Sequence, residues 1–226
     1  MKYDIAKYEG RHYQPLVTDS EFWTTLDAKY LSGNTERMCV DRIRAIFGRI
    51  KPPGTLLDIG CNIGLFTHYA HKQGFQATGI ENDYHVAVKR FTDKSAIGTA
   101  KALNAIYGLT PEFIEGDYIK EVERRAWDYV LYLSVWHHHL MGYGRSELQR
   151  MSRREAEGVL KKVWAATKKA MIFEMDGFMW PVVLCGWGQW RIKKNLKRLT
   201  GVEPVAIFES PDGWAHPRTI WLLEKK

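Results

Sequence analysis

The sequence predicts an α/β domain built on a mostly parallel sheet that closes with an antiparallel hairpin. Three observations carry this expectation. Short apolar runs of strand type alternate with segments of helical period along the chain. One such run, Thr55 to Ile59, leads straight into a glycine turn and then a helix. The last two runs, Val205 to Glu209 and Thr219 to Glu224, flank Pro211-Asp212-Gly213, a turn signal. Crossovers between parallel strands are right-handed, and such a sheet takes its ligand at the carboxyl ends of its strands, where strand order reverses.

Each element follows from local chemistry. Residues 1–34 scatter Tyr3, Tyr8, Tyr13, Phe22, Trp23 and Tyr30 among polar residues and read as an N-terminal extension packed on a larger domain, 35–226. From Thr35, a possible N-cap, Cys39, Ile43, Ile46 and Phe47 keep helical spacing until Pro52-Pro53-Gly54 breaks it. Thr55 to Ile59 is then a buried strand, Leu65 to Gln73 a helix and Gln76 to Glu81 the second strand. A helical stretch from Tyr84 is interrupted near Ser95 to Gly98. Glu112 to Glu115 and Trp127 to Leu133 are the third and fourth strands, followed by a helix, Ser152 to Thr167, and a strand, Ala170 to Glu174.

Composition bounds the class. The chain has 226 residues, 45% of them hydrophobic, enough for a core without disulfide or metal staples. Cys39, Cys61 and Cys185 cannot all pair and show no CxxC pattern, which suits a reducing compartment. The start, Met1 to Ile5, lacks an apolar signal core, and the apolar run Trp180 to Gly188 is about half the roughly 20 residues of a membrane span. A soluble, cytoplasmic protein is expected. Up to residue 144 there are 17 Lys+Arg and 17 Asp+Glu, against 16 and 9 afterwards, so the whole formal charge of +7 falls in the last 82 residues.

The informative stretch is Leu57-Asp58-Ile59-Gly60-Cys61-Asn62-Ile63-Gly64-Leu65-Phe66. A glycine turn between strand and helix lets backbone N–H groups approach a ligand, and Gly60 and Gly64 lack the Cβ atoms that would block it. The spacing is not G-x-G-x-x-G, since Asn62 takes the middle position and Phe66 the third, and no Gly-Lys-Ser/Thr of a P-loop follows. Asp58 just before the turn is awkward for a pyrophosphate and suits a cationic amino-acid ligand.

On these residues the chain resembles the class I S-adenosylmethionine-dependent methyltransferases, with a Rossmann-like seven-stranded sheet. Asn62 departs from the middle glycine of their first motif, and Asn tolerates a left-handed backbone. Glu81, 23 residues after Asp58, matches the acid that holds the ribose hydroxyls, Asp117 the adenine contact, and Ser134 the position beneath the methyl donor. The resemblance implies S-adenosyl-L-methionine as cofactor, held by Asp58, Gly60, Cys61, Asn62, Gly64, Glu81, Asn82, Asp117, Tyr118 and Ser134. Taken singly, Glu81 is equally a solvated strand end and Asp117 a helix cap; their joint spacing carries the reading.

After the fourth strand comes Leu133-Ser134-Val135-Trp136-His137-His138-His139. An imidazole removes a hydroxyl proton near neutral pH, which makes His137 or His138 the candidate general base, although a phosphate or carboxylate acceptor needs none. Consecutive residues point in different directions, so the three rings do not suggest a metal site. An Asn/Asp-Pro-Pro-Tyr motif and a Pro-Cys pair are both missing, which disfavours base amino groups and cytosine C5 and favours an oxygen acceptor. Together with the glycine turn, the Leu-Ser-Val-x-His-His run resembles bacterial and phage methyltransferases, some acting in glycan or surface-polymer modification. That resemblance implies a carbohydrate, phosphate or small hydroxylated acceptor.

Residues Trp187 to Leu199 are densely basic, with Ile192, Leu196 and Leu199 on one helical face. The cations suit a nucleic acid stacked on Trp180, Trp187 or Trp190, an anionic lipid surface, an anionic small acceptor, or simply solvent. Residues 177–200 are read as a substrate lid. The alternative functions are an RNA methyltransferase, an RNA-binding protein of methyltransferase-like fold, and a silent partner subunit. The oligomeric state is not legible.

Overall fold

The computed structural model describes residues 14–17, 19–32, 39–82, 95–141, 150–177, 182–210 and 218–226. The chain divides into two compact units, Met1–Asp117 and Tyr118–Lys226.

In the first unit, β1 (Leu16–Val17) and β2 (Leu31–Ser32) form a small antiparallel ribbon around the turn α1 (Phe22–Thr25). Trp23 is buried, with its ring against Phe22 (5.4 Å), Tyr107 (5.4 Å), His68 (6.1 Å) and Tyr69 (6.5 Å). The described part of the aromatic extension is thus core-forming. Tyr3, Tyr8, Tyr13 and the proposed cap Thr35 lie outside the described residues. Helix α2 (Cys39–Phe47) precedes β3 (Thr55–Ile59), α3 (Leu65–Lys72), β4 (Gln76–Glu81), α4 (Ala96–Tyr107) and β5 (Glu112–Glu115). Strands β3, β4 and β5 pair in parallel. Ser95 ends the expected interruption by capping α4, its Oγ accepting from the Gly98 N–H at 2.8 Å; the stretch beginning at Tyr84 lies outside the described residues.

The second unit holds α5 (Tyr118–Arg124), β6 (Trp127–Leu133), α6 (His137–Met141), α7 (Arg153–Ala166), β7 (Thr167–Glu174), α8 (Ile192–Thr200), β8 (Val205–Glu209) and β9 (Thr219–Glu224). Strands β6 and β7 are parallel, while β9 runs antiparallel to both β7 and β8. Ser152 and Glu155 close a capping box at the start of α7. Strand β7 begins three residues before its apolar run: Thr167, whose hydroxyl donates to the Val163 carbonyl, is already paired with Trp127, and exposed Lys168 and Lys169 fall in a register irregularity before pairing resumes at Ala170. Two tryptophans and a phenylalanine meet in the core: Trp136 lies against Trp187 (4.2 Å between ring centroids), and Phe173 lies 6.4 Å from each.

The seven-stranded sheet has the order β5-β4-β3-β6-β7-β9-β8, mostly parallel with its antiparallel strands at the C-terminal end of the chain, the α/β architecture expected. The closing hairpin places β9 inside and β8 at the edge. Its predicted turn, Pro211 to Gly213, lies outside the described residues. Among the described residues, no helix is long and apolar enough to cross a membrane.

Candidate active site

The first unit gathers most of the residues picked out for cofactor binding around the ends of β3, β4 and β5. After Ile59 the chain passes through Gly60, Asn62 and Gly64, all left-handed with φ of 69°, 54° and 83°. This backbone suits glycine and, among other residues, Asn. The N–H groups of Gly60 and Cys61 both donate to the Ile80 carbonyl (2.8 and 3.1 Å), which fastens the turn to the end of β4. The Glu81 carboxylate completes the junction: Oε2 accepts from the Asn62 N–H at 3.1 Å and Oε1 from the Asn82 N–H at 2.9 Å. The Gly116 N–H donates to the Glu81 carbonyl at 2.9 Å, so the exposed Asp117 stands beside the same strand end. The Asn62 side-chain oxygen is buried and has no hydrogen-bond partner among the described residues.

Glycine at 64 makes room for protein rather than only for a ligand. A Cβ there would lie 2.5 Å from Phe113 Cζ and 3.1 Å from His68 Cε1. Phe113 in turn packs with Cys61, Ile97 and Ala100 beneath the turn. His68 is kept neutral, its pKa pushed down to about 4 by burial, with Nε2 hydrogen-bonded to Asn104 Oδ1 at 2.8 Å.

Asp58 sits inside β3, buried, and its Oδ2 accepts from Thr67 Oγ1 at 2.7 Å. Burial pushes its pKa up to about 7; Glu81 adds to the rise, and the Thr67 hydroxyl and Arg42 oppose it. Since the folded chain holds this proton more tightly than the unfolded chain, Asp58 makes stability fall as pH climbs from about 4 to about 7. Asp58→Asn, which keeps an acceptor for Thr67, is expected to raise stability near pH 8 by about 2 kcal/mol, allowing for the burial cost of the amide. Urea unfolding at both ends of that range checks this, and the gain should vanish near pH 4.

The second unit places Tyr118, Ser134, His137 and His138. Ser134, left-handed at φ 59°, donates its N–H to the Glu174 carbonyl (2.9 Å), and its hydroxyl accepts from Arg218 Nη1 at 2.5 Å. Arg218 also reaches Glu174 Oε1 at 3.5 Å and Asp176 Oδ2 at 3.8 Å. The side chains of these three residues are 15%, 2% and 6% exposed, so this is a buried charge cluster at the ends of β6 and β7. The Asp176 N–H donates to His137 Nδ1 at 3.4 Å, which keeps the neutral ring's proton on Nε2. The His138 ring lies 4.2 Å from that of His137. His139 is directed elsewhere, its Nε2 hydrogen-bonded to the hydroxyls of Tyr118 and Tyr132, which join each other at 2.5 Å.

Arg218, Glu174, Asp176, Tyr132 and Thr67 were not among the residues singled out from the sequence. Two signals were present. Arg218 is a lone cation directly before a strand that is otherwise buried, and Thr67 is a hydroxyl within a helix whose neighbours Phe66, His68 and Tyr69 are all buried.

The basic segment divides. Trp187 is core, whereas Trp190 is exposed; Trp180 lies outside the described residues. The stripe Ile192, Leu196 and Leu199 is buried as its spacing predicts. Lys193 and Lys197 pair with Glu203 (3.0 and 2.6 Å). Glu157 Oε1 alone receives Arg153 Nε (2.6 Å), Arg198 Nη2 (2.6 Å) and Trp187 Nε1 (3.1 Å). Much of the positive charge read from the sequence is neutralised within the fold.

Residues 30–151 match the family model described as a methyltransferase domain. No curated protein matches the chain. Among solved structures, the bifunctional kinase-methyltransferase WbdD is similar at 17% identity and a TM-score of 0.65, over 97% of this chain and 45% of that one. This chain therefore spans under half the length of that relative. Magnesium protoporphyrin IX methyltransferase from Synechocystis PCC 6803, solved with bound SAM, aligns at 15% identity and TM-score 0.55, over 85% of this chain and 78% of that one. The PH0226 protein of Pyrococcus horikoshii OT3 aligns at 14% and 0.55, over 91% and 96%.

Proposed function

Because the chain belongs to the methyltransferase-domain family and is an S-adenosylmethionine-dependent methyltransferase, we propose that it methylates an oxygen of a hydroxylated or anionic acceptor, with a carbohydrate, a phosphate or a small molecule as candidate classes. The observation that carries the donor half is the Glu81 carboxylate, clamped by the Asn62 and Asn82 N–H groups at the end of β4. Fixed in that way, its outer lone pairs suit a vicinal diol, whose two hydroxyls both donate. The buried Asn62 oxygen, which has no hydrogen-bond partner among the described residues, suits an ammonium group, so the residues present fit an amino-acid-bearing nucleoside. Asp117, which follows β5, is assigned to the donor side, and Tyr118 remains a candidate donor contact in the second unit. When bound, the cofactor supplies a methyl group activated on a sulfonium.

The remaining work belongs to the chain: to hold donor and acceptor in line, to exclude water, and to take a proton if the acceptor is a hydroxyl. His137 presents Nε2–H as a donor while Asp176 occupies its Nδ1, which suits it to orient an acceptor oxygen. We assign proton removal to the half-buried His138. Glu174 and Asp176 hold Arg218, which in turn fixes the Ser134 hydroxyl at the end of β6. Residues 177–200, read as a substrate lid, are assigned to the acceptor side; Trp187, in their described part, is held in the core.

Titration calorimetry should show micromolar donor binding that Glu81→Ala weakens at least about tenfold, the loss of charge-assisted hydrogen bonds. Equal affinity in the variant would remove Glu81 from the site. Labelled methyl donor with fractionated extract should mark an oxygen of a carbohydrate, phosphate or small-molecule fraction, as an ether or a methyl phosphate ester, and where the product is an ether His138→Gln should abolish it. Label in a base nitrogen would refute the oxygen assignment.

A further inference from the structure

Two large apolar side chains stand in solvent on one short stretch of the second unit: Leu184, 78% exposed, and Trp190, 70% exposed. The backbone beneath them is tied down. Val182 and Trp187 are buried on either side of Leu184, and Asn195 Nδ2 donates to the Gly186 carbonyl at 2.8 Å, which fastens the Val183–Trp187 turn to α8. The Trp190 ring lies close over Gly188, 3.1 Å from where a Cβ would stand. Arg191 Nη1 comes within 3.9 Å of the corresponding position on Gly186, two residues from Leu184.

The charges around this turn differ from the rest of the basic segment. Lys193, Lys197, Arg153 and Arg198 are engaged by Glu203 and Glu157. Exposed Arg191 and Lys194 form no ion pair among the described residues. The stretch from the Val183–Trp187 turn to the first turn of α8 therefore displays an aliphatic tip, an indole and two cations with no counter-charge among the described residues.

We propose that this patch docks the protein on an anionic lipid surface, with Leu184 entering the acyl boundary, Trp190 at headgroup depth, and Arg191 and Lys194 against lipid phosphates. A nucleic acid fits less well: following its backbone takes a run of free cations, and an aliphatic tip offers no ring for a base to stack on. A protein partner of ordinary affinity buries about 800 Å² per side, more than two protruding side chains supply. Lipid needs only what is displayed.

The test is co-sedimentation of the full chain with phosphatidylcholine vesicles with and without phosphatidylglycerol. Retention should require the anionic lipid and fall as salt rises. Leu184→Ser with Trp190→Ser, and separately Arg191→Gln with Lys194→Gln, should each weaken partitioning by at least about tenfold, with circular dichroism unchanged because all four side chains are exposed. No retention of the native chain on anionic vesicles would overturn the proposal. So would equal retention of either double variant, or retention on single-stranded RNA that needs Trp190 and is indifferent to Leu184.

Discussion

Replacing Gly64 by alanine is expected to cost the chain about 2–5 kcal/mol of stability and to lower its melting midpoint by roughly 5–15 °C. Two separate penalties combine. The backbone at φ 83° is one that an L side chain adopts only under strain, and the new Cβ would meet Phe113 at 2.5–2.7 Å. Phe113 has little freedom to retreat, because it is packed among Cys61, Ile97 and Ala100 and also crowds Gly79. Thermal unfolding of Gly64→Ala, and of the same change combined with Phe113→Leu, separates the two. The double variant should recover the steric part and retain the backbone part, about 1–2 kcal/mol. A single variant as stable as the native chain would mean that the turn relaxes freely.

Removing the guanidinium of Arg218 should be as damaging. Arg218→Ala takes the guanidinium away from buried Glu174 and Asp176, and it takes the hydrogen bond from the left-handed Ser134. Breaking a buried pair in this way costs about 3–5 kcal/mol. Arg218→Ala with Glu174→Gln should regain part of the loss, since the amide leaves less uncompensated charge. Urea unfolding of both variants gives the comparison, and a loss under about 1 kcal/mol for the single change would show the cluster to be well solvated.

Both features show where the sequence was legible and where it stopped being so. Strands such as Thr55–Ile59 and Trp127–Leu133 announce themselves because each is a dense apolar run bounded by turn residues or a change of period. The helices Tyr118–Arg124 and His137–Met141 do not: they are short, and Ile119 and Val122, or three consecutive histidines, make no readable apolar stripe. Glu81 was picked out as a candidate by its spacing from Asp58 within the family resemblance, and its clamp by the Asn62 and Asn82 N–H groups depends on backbone geometry that spacing does not encode. Ser134 was identifiable, whereas Arg218, 84 positions away, meets it only through the pairing of β9 with β7. The excess of positive charge after residue 144 already counts Glu157 and Glu203 and gives the net charge, not which cations are paired. Glu157 and Glu203 lie outside the basic stretch, and only the fold brings them to it.

Glu157 has a consequence for how the chain opens. Its single oxygen is shared by its own helix through Arg153, by α8 through Arg198, and by the preceding turn through the indole of Trp187. These three pieces are therefore lost or kept together: releasing one leaves a partly buried carboxylate to be resolvated before the others have let go. The outward-facing stretch with Leu184 and Trp190 thus belongs, in thermodynamic terms, to the interior of the second unit. Its exposed positions are free to be exchanged for other surface chemistry without any change in the cooperativity of the whole.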